Sequence, residues 1–494
     1  MGGTKKKSAL DKDLDKMTLV EHASQHVWRR LAAPSAGMLF VLLAMVYAGT
    51  YALGHASPAV LIIAAALAGY MAMNIGANDV TNNTGAAVGA RAISMRSALL
   101  MAAVFEILGA VIAGRDVTET ISVHVVPPAA LPGDGHVMAV MMAALSAAAL
   151  WINLATWLHA PVSTTHSIIG AIIGAGIAAS GFGVVQWGVI GQIVMSWVAS
   201  PLIGGILAAG MLFFIEERIL QKEDKIAAAR RWVPVLIGLM TGAFSAYLAL
   251  QFAVRGRFPE DAVLPLGGMF LLVGWLSAIP YVRIQSEGLE NRNASLRILF
   301  RIPLIASSAL LCFAHGANDV SNAIGPLAAI VAVSDQPPAP GEIVPFWALT
   351  IGAFGISTGL LLFGPRLIRL VGEQITKLNP VRSYCVALSA ALTVLAASWA
   401  GLPVSSTHIA VGSVFGVGFF REWYVNSWRP AAQKPSKKRK AVTEDSEDDT
   451  EELRRRLLVR RSHFMTIAGA WMITLPISGG LSALLFLLFR IIFL

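Results

Sequence analysis

Charge is what this 494-residue chain lacks most: Asp, Glu, Lys and Arg make up only 14% of it, against about 25% in ordinary soluble domains. That shortage excludes an intrinsically disordered chain, which needs high charge and few apolar residues. It also argues against a soluble enzyme and against a nucleic-acid-binding domain, which needs a basic face. Cysteine is scarce as well. Cys312 and Cys385 stand far apart in apolar runs, so neither a disulfide framework nor a cysteine metal cluster is expected. In place of charge the chain has 56% hydrophobic residues, 45 glycines and a mean hydropathy of +0.66. Glycine is tolerated in transmembrane helices. The composition is that of an all-α polytopic membrane protein, and the net charge of +9 is then a property of its loops.

A membrane-crossing helix needs about 20 mostly apolar residues, which gives about 12–13 membrane segments here. They fall at 36–53, 57–91, 97–113, 137–158, 161–180, 187–215, 232–253, 262–282, 303–333, 343–364, 383–401, 403–420 and 464–490. The segments 57–91 and 303–333 are long for one plain helix and suggest broken helices. With a cytoplasmic N-terminus and one crossing per segment, every Lys and Arg except Arg115, Arg255, Arg257 and Arg490 falls on the cytoplasmic side. The positive-inside rule selects that orientation, with the C-terminus outside. A multi-pass protein of the cell (inner) membrane is expected.

The same unit occurs twice. GANDVTNNTGAAVG starts at Gly76 and GANDVSNAIGPLAA at Gly316. PVSTTHSIIGAIIGAG starts at Pro161 and PVSSTHIAVGSVFGVG at Pro403. A Pro-x-x-Gly-Gly anchor follows a Trp in each copy, at Pro201 after Trp197 and at Pro476 after Trp471. The crossing parity runs the two copies in opposite directions, so they are inverted-topology repeats. That arrangement recurs in secondary transporters, with sites near the bilayer midplane. The expected organisation is a cytoplasmic segment 1–35, a first transmembrane helix 36–56, repeat 1 at 57–215, a connecting loop and two helices at 216–302, repeat 2 at 303–420, a charged cytoplasmic linker at 421–463, and a final helix at 464–494 that completes repeat 2.

Asp79 and Asp319 lie in apolar surroundings, where an ionised carboxylate costs several kcal/mol unless it meets a cation, a proton or water. Asn78 and Asn82 flank the first, Asn318 and Asn322 the second. Amide oxygens, a carboxylate and carbonyls of a helix broken at Gly76 or Gly316 make a hard-oxygen site for a small cation. Na+ is a candidate at Asp79 and Asp319. The alternative is a helix-capping Asp at a kink. No Asp, Glu, Lys or Arg occurs from Gly135 to Ile215 or from Ser383 to Phe420. Within those stretches, Pro161 and Pro403 suit a first helical turn. Ser163, Thr164 and Thr165, with Ser405, Ser406 and Thr407, can then surround an oxyanion at two opposed helix N-termini; N-capping alone needs one hydroxyl. An anion held by neutral donors beside two acids requires a mobile cation, the physical basis of symport. His166 and His408 close the two motifs, as proton-linked groups or as ordinary helix histidines. Glu106, a third intramembrane carboxylate with no matching acid in the second copy, can bind a further ion or pair with a neighbouring polar group, and the structural pairing is the favoured reading.

At these paired motifs the sequence resembles the inorganic phosphate transporter (PiT) family, over about residues 57–489. The resemblance implies symport of inorganic phosphate with Na+ or H+, two inverted repeats working by alternating access, a homodimer, and no cofactor beyond the coupling ion. It implies that Asp79, Asn82, Asp319 and Asn322 contact phosphate or coupling cations, and that the hydroxyls of both motifs hold phosphate. Thr81 and Asn83 depart from the alanines usual in the family's first signature. A sulfate, other oxyanion or metal–phosphate permease of the same fold is the nearest rival. A distant one is an intramembrane hydrolase using Ser163 or Ser405 with the histidine three residues on. No nucleic-acid partner is expected.

Overall fold

The structure is a computed structural model that describes residues 9–54, 57–158, 160, 162–334, 344–372, 379–424 and 461–493. Every regular element among them is helical. The principal helices are α1 (Ala9–Ala52), α2 (Pro58–Gly89), α3 (Met95–Ala113), α4 (Arg115–Glu119), α5 (Asp134–Trp157), α6 (Thr164–Ser180), α7 (Trp187–Ile215), α8 (Lys225–Ala253), α9 (Val263–Ser286), α10 (Asn293–Leu299), α11 (Arg301–Ala332), α12 (Phe346–Gly372), α13 (Pro380–Trp399), α14 (Ser406–Trp423) and α15 (Arg461–Phe493). Among the described residues ten helices are long and apolar enough to cross a membrane, or eleven if α10 and α11, bent by 48°, form one broken span. This is fewer than the 12–13 segments expected, because, of the hydroxyl-motif helices, α6 is too short at 17 residues and α14, at 18, carries too many polar residues to be in that set. The first helix begins at Ala9 and runs unbroken into its apolar part, Leu31–Ala52. Pro161 and nearly all of the charged linker lie outside the described residues.

The expected breaks at Gly76 and Gly316 are not present. Both α2 and α11 are continuous 32-residue helices. The glycines serve close approach instead: a Cβ on Gly76 would lie 1.9 Å from the carbonyl oxygen of Ile356 in α12, and one on Gly316 would lie 2.2 Å from that of Glu106 in α3. A helix crossing this tight needs a residue with no side chain. The break nearest the second motif falls at Phe300, between α10 and α11.

The crossings also exchange partners between the copies. Helix α2 packs on α12 and α11 packs on α3. The same exchange holds for the anchors. Helix α7, carrying Pro201, packs on α14, and a Cβ on Gly416 would lie 2.0 Å from the Gly205 oxygen. Helix α15, carrying Pro476, packs on α6, with Gly174 equally tight against Gly479. Each Pro-x-x-Gly-Gly anchor thus supports the hydroxyl-motif helix of the other copy. By contrast α8 and α9 pack mainly on each other. The candidate site lies inside the pair of interleaved copies.

Candidate substrate and cation site

The two hydroxyl motifs begin their helices identically. Ser163 and Ser405 stand at the N-cap and accept from the backbone N–H of His166 (3.2 Å) and His408 (3.3 Å). This satisfies one of the free N–H groups of each first turn. Capping therefore accounts for the first hydroxyl of each motif. Pro403 lies two residues before the cap, outside the helix, so it does not occupy the first turn expected of it.

The remaining hydroxyls face the acids. Thr164 donates to Asp79 Oδ2 (3.1 Å) and lies 3.5 Å from Asp319 Oδ2. Thr407 donates to Asp79 Oδ1 (3.1 Å), and Ser406 to Asp319 Oδ2 (3.2 Å). Asn82 reaches both Asp79 Oδ1 (3.2 Å) and Thr407 (2.9 Å), while Asn322 reaches Thr165 (3.2 Å). Thr165 in turn ties the two tips together through the Val404 carbonyl (3.0 Å). Residues from four places in the chain thus close one polar cluster, in which Asp79 and Asp319 are 1% and 0% exposed. Its donors are side chains on intact helices, not carbonyls of an unwound segment.

Asn78 and Asn318 stand apart from it. Asn78 donates to Thr156 and Asn318 to Ser398, each 3.0 Å away, linking the acid helices to the ends of α5 and α13. His166 and His408 also avoid the acids. Their rings form the centre of an aromatic column, with ring centroids 3.8 Å apart from Trp197 to His166, 4.6 Å from His166 to His408, and 3.6 Å from His408 to Trp471. The hydrolase dyad is not formed: each N-cap hydroxyl meets a backbone N–H, and each imidazole lies against an indole.

The chain itself supplies a group that sequence reasoning missed. His315 is 0% exposed, with Nδ1 2.8 Å from Glu106 Oε2 and Nε2 3.0 Å from Asp319 Oδ2 and 3.8 Å from Asp79 Oδ2. Asn83 completes this arm by donating to Glu106 Oε1 (2.8 Å). Mobile cations are therefore not the sole groups available to the acids, because a basic side chain touches all three. Helical spacing was the available signal, since His315 lies four residues before Asp319 and so on the same face.

A profile described as the phosphate transporter family matches residues 75–482. A relative from Helicobacter pylori (strain J99) is 47% identical over 81% of this chain and 76% of its own length. One from Thermococcus kodakarensis is 36% identical over 85% and 96%. Both are named "Putative phosphate permease". A solved structure, named the sodium-dependent phosphate transporter, superposes with a TM-score of 0.77 at 33% identity, over 88% of this chain and 100% of that one. The chain belongs to the phosphate transporter family.

Proposed function

We propose that the chain is a secondary transporter that imports inorganic phosphate across the cell membrane by symport with Na+, and that the cluster around Asp79 and Asp319 is its site. The supporting observation is Thr164, whose hydroxyl reaches the carboxylates of both copies. A hydroxyl hydrogen can serve a carboxylate or an incoming oxyanion, but not both. A cation that occupies the carboxylate oxygens releases Thr164, Ser406 and Thr407 to donate to phosphate, and phosphate in turn adds negative charge that holds the cation. Binding of the two is then mutually reinforcing by linkage. Asn82 and Asn322 complete the phosphate shell. The interleaved copies alternate access around this point, and two chains associate as a homodimer.

Uptake of labelled phosphate into proteoliposomes tests the reading. Accumulation should follow an inward Na+ gradient, persist with a proton uncoupler, and resist excess sulfate. Uptake that follows a proton gradient without Na+ would replace the coupling ion; equal competition by sulfate would replace the substrate.

A further inference from the structure

The same pocket carries a nitrogen ligand that an alkali-ion site does not need. Four donor atoms converge there: Asp79 Oδ2, Asp319 Oδ2, His315 Nε2 and Thr164 Oγ1. Nε2 stands 3.0 and 3.8 Å from the two carboxylate oxygens, and Oγ1 stands 3.1 and 3.5 Å from the same two. The acid and imidazole donors all lie within 4.8 Å of one another, and all three residues are buried. In a tetrahedral shell with bonds of about 2.1 Å, neighbouring donors sit about 3.4 Å apart, so these separations suit a single small ion. Nε2 faces only the two carboxylates, and Asp319 Oδ1 is buried without a hydrogen-bond partner. Behind the ring, Glu106 accepts from Nδ1 and is itself held by Asn83. Such a carboxylate–histidine arrangement fixes the ring and turns its other nitrogen toward a metal.

We propose that Asp79, His315, Asp319 and Thr164 form a binding site for a divalent d-block cation, with Glu106 as the residue that positions its nitrogen ligand. Imidazole nitrogen suits this class, whereas hard alkali cations take oxygen. The proposal rests on the reading of Asp79 and Asp319 as cation ligands and adds a second class of cation that competes with Na+ there.

The test titrates the purified full-length protein with Co2+ and follows the visible absorption of the bound ion. One saturating Co2+ per chain is expected, with its apparent affinity falling as Na+ is added. His315→Gln should abolish the band, and Glu106→Ala should weaken binding about 10–100-fold. No band in the unmodified protein, or affinity indifferent to Na+, would overturn the site without recourse to any variant. So would unchanged binding in a His315→Gln protein that elutes as the unmodified protein does. Labelled phosphate uptake in Na+ alone, measured on the same preparation, separates the two readings. Uptake that depends on Asp79 and Asp319 without Co2+ binding removes the metal site alone. Co2+ binding without such uptake supports the metal site and removes the symport.

Discussion

Two helix crossings in this molecule share one geometry and differ in chemistry. Where α2 meets α12, Gly76 lies against the backbone of Ile356, and the residue before Gly76 is Ile75. Where α11 meets α3, Gly316 lies against the backbone of Glu106, and the residue before Gly316 is His315. The apolar pair of one crossing is a Glu–His pair in the other. Asn83, which holds Glu106 from α2, has Ala323 as its counterpart. These three polar departures from the repeat meet at one place, behind Asp319. The hydroxyl tips, in contrast, have kept their caps, their histidines against tryptophans and their exchanged anchors in both copies. Duplication built the site as a symmetric frame; the polar arm behind Asp319, together with Thr407, which donates to Asp79 while its counterpart Thr165 meets the Val404 carbonyl, makes its two carboxylates inequivalent.

The largest effect should come from the carboxylates. Asp79→Asn and Asp319→Asn are each expected to abolish concentrative phosphate uptake while the protein still inserts and elutes normally. The comparison sharpens in Na+ titrations of residual phosphate binding. Removing Asp319 also takes a partner from His315, whereas Asp79 lies 3.8 Å from that ring, so the two variants should differ in Na+ dependence. Identical titrations in the two variants would count against inequivalence.

The polar arm can be erased next. His315→Ile leaves Glu106 buried with only Asn83, and breaking a buried pair from one side costs about 3–5 kcal/mol. Changing Glu106 to Ile as well recreates the apolar pair of the other crossing, and should recover most of that loss. A double-mutant cycle on thermal unfolding in detergent measures the coupling. Additive losses would mean that the two side chains do not act as a pair.

How much of this was legible beforehand follows from what each feature needs. The helices were legible because the bilayer demands apolar runs, and the meeting of acids with hydroxyls because both motifs are duplicated. Gly76 and Gly316 read as breaks in the sequence and are close-approach sites in the structure. A glycine in an apolar run can end a helix or admit a neighbour, and the neighbour, from the other copy, is far away in sequence. His315 is not legible from the duplication, because its counterpart in the first copy is Ile75. Asn83 and Glu106 each stand out in the sequence, but their contact joins α2 to α3 and has no sequence signal. The column formed by Trp197, His166, His408 and Trp471 required knowing that each anchor crosses to the other copy.

The glycines give a smaller and more even test. Gly76→Ala and Gly316→Ala put a methyl on a carbonyl oxygen in both crossings, and overpacking of this kind costs about 1–3 kcal/mol. Both variants should unfold at lower temperature, to a similar extent, because the obstacle is backbone in each case. A loss confined to Gly316→Ala would show that the polar arm, not the geometry, governs that crossing.

The smallest effect probes the part that stayed symmetric. Ser163→Ala and Ser405→Ala each remove one N-cap bond, to His166 and His408 respectively, worth about 1 kcal/mol. Ser163 is 0% and Ser405 2% exposed, so solvent cannot replace either bond. The two losses in thermal stability should therefore be equal within error. The first turns that carry Thr164 and Thr407 should also loosen, raising the KM for phosphate in both variants before the maximal rate falls. Unequal responses would place the asymmetry of the acid helices in the hydroxyl tips too, and the frame would no longer be common to both copies.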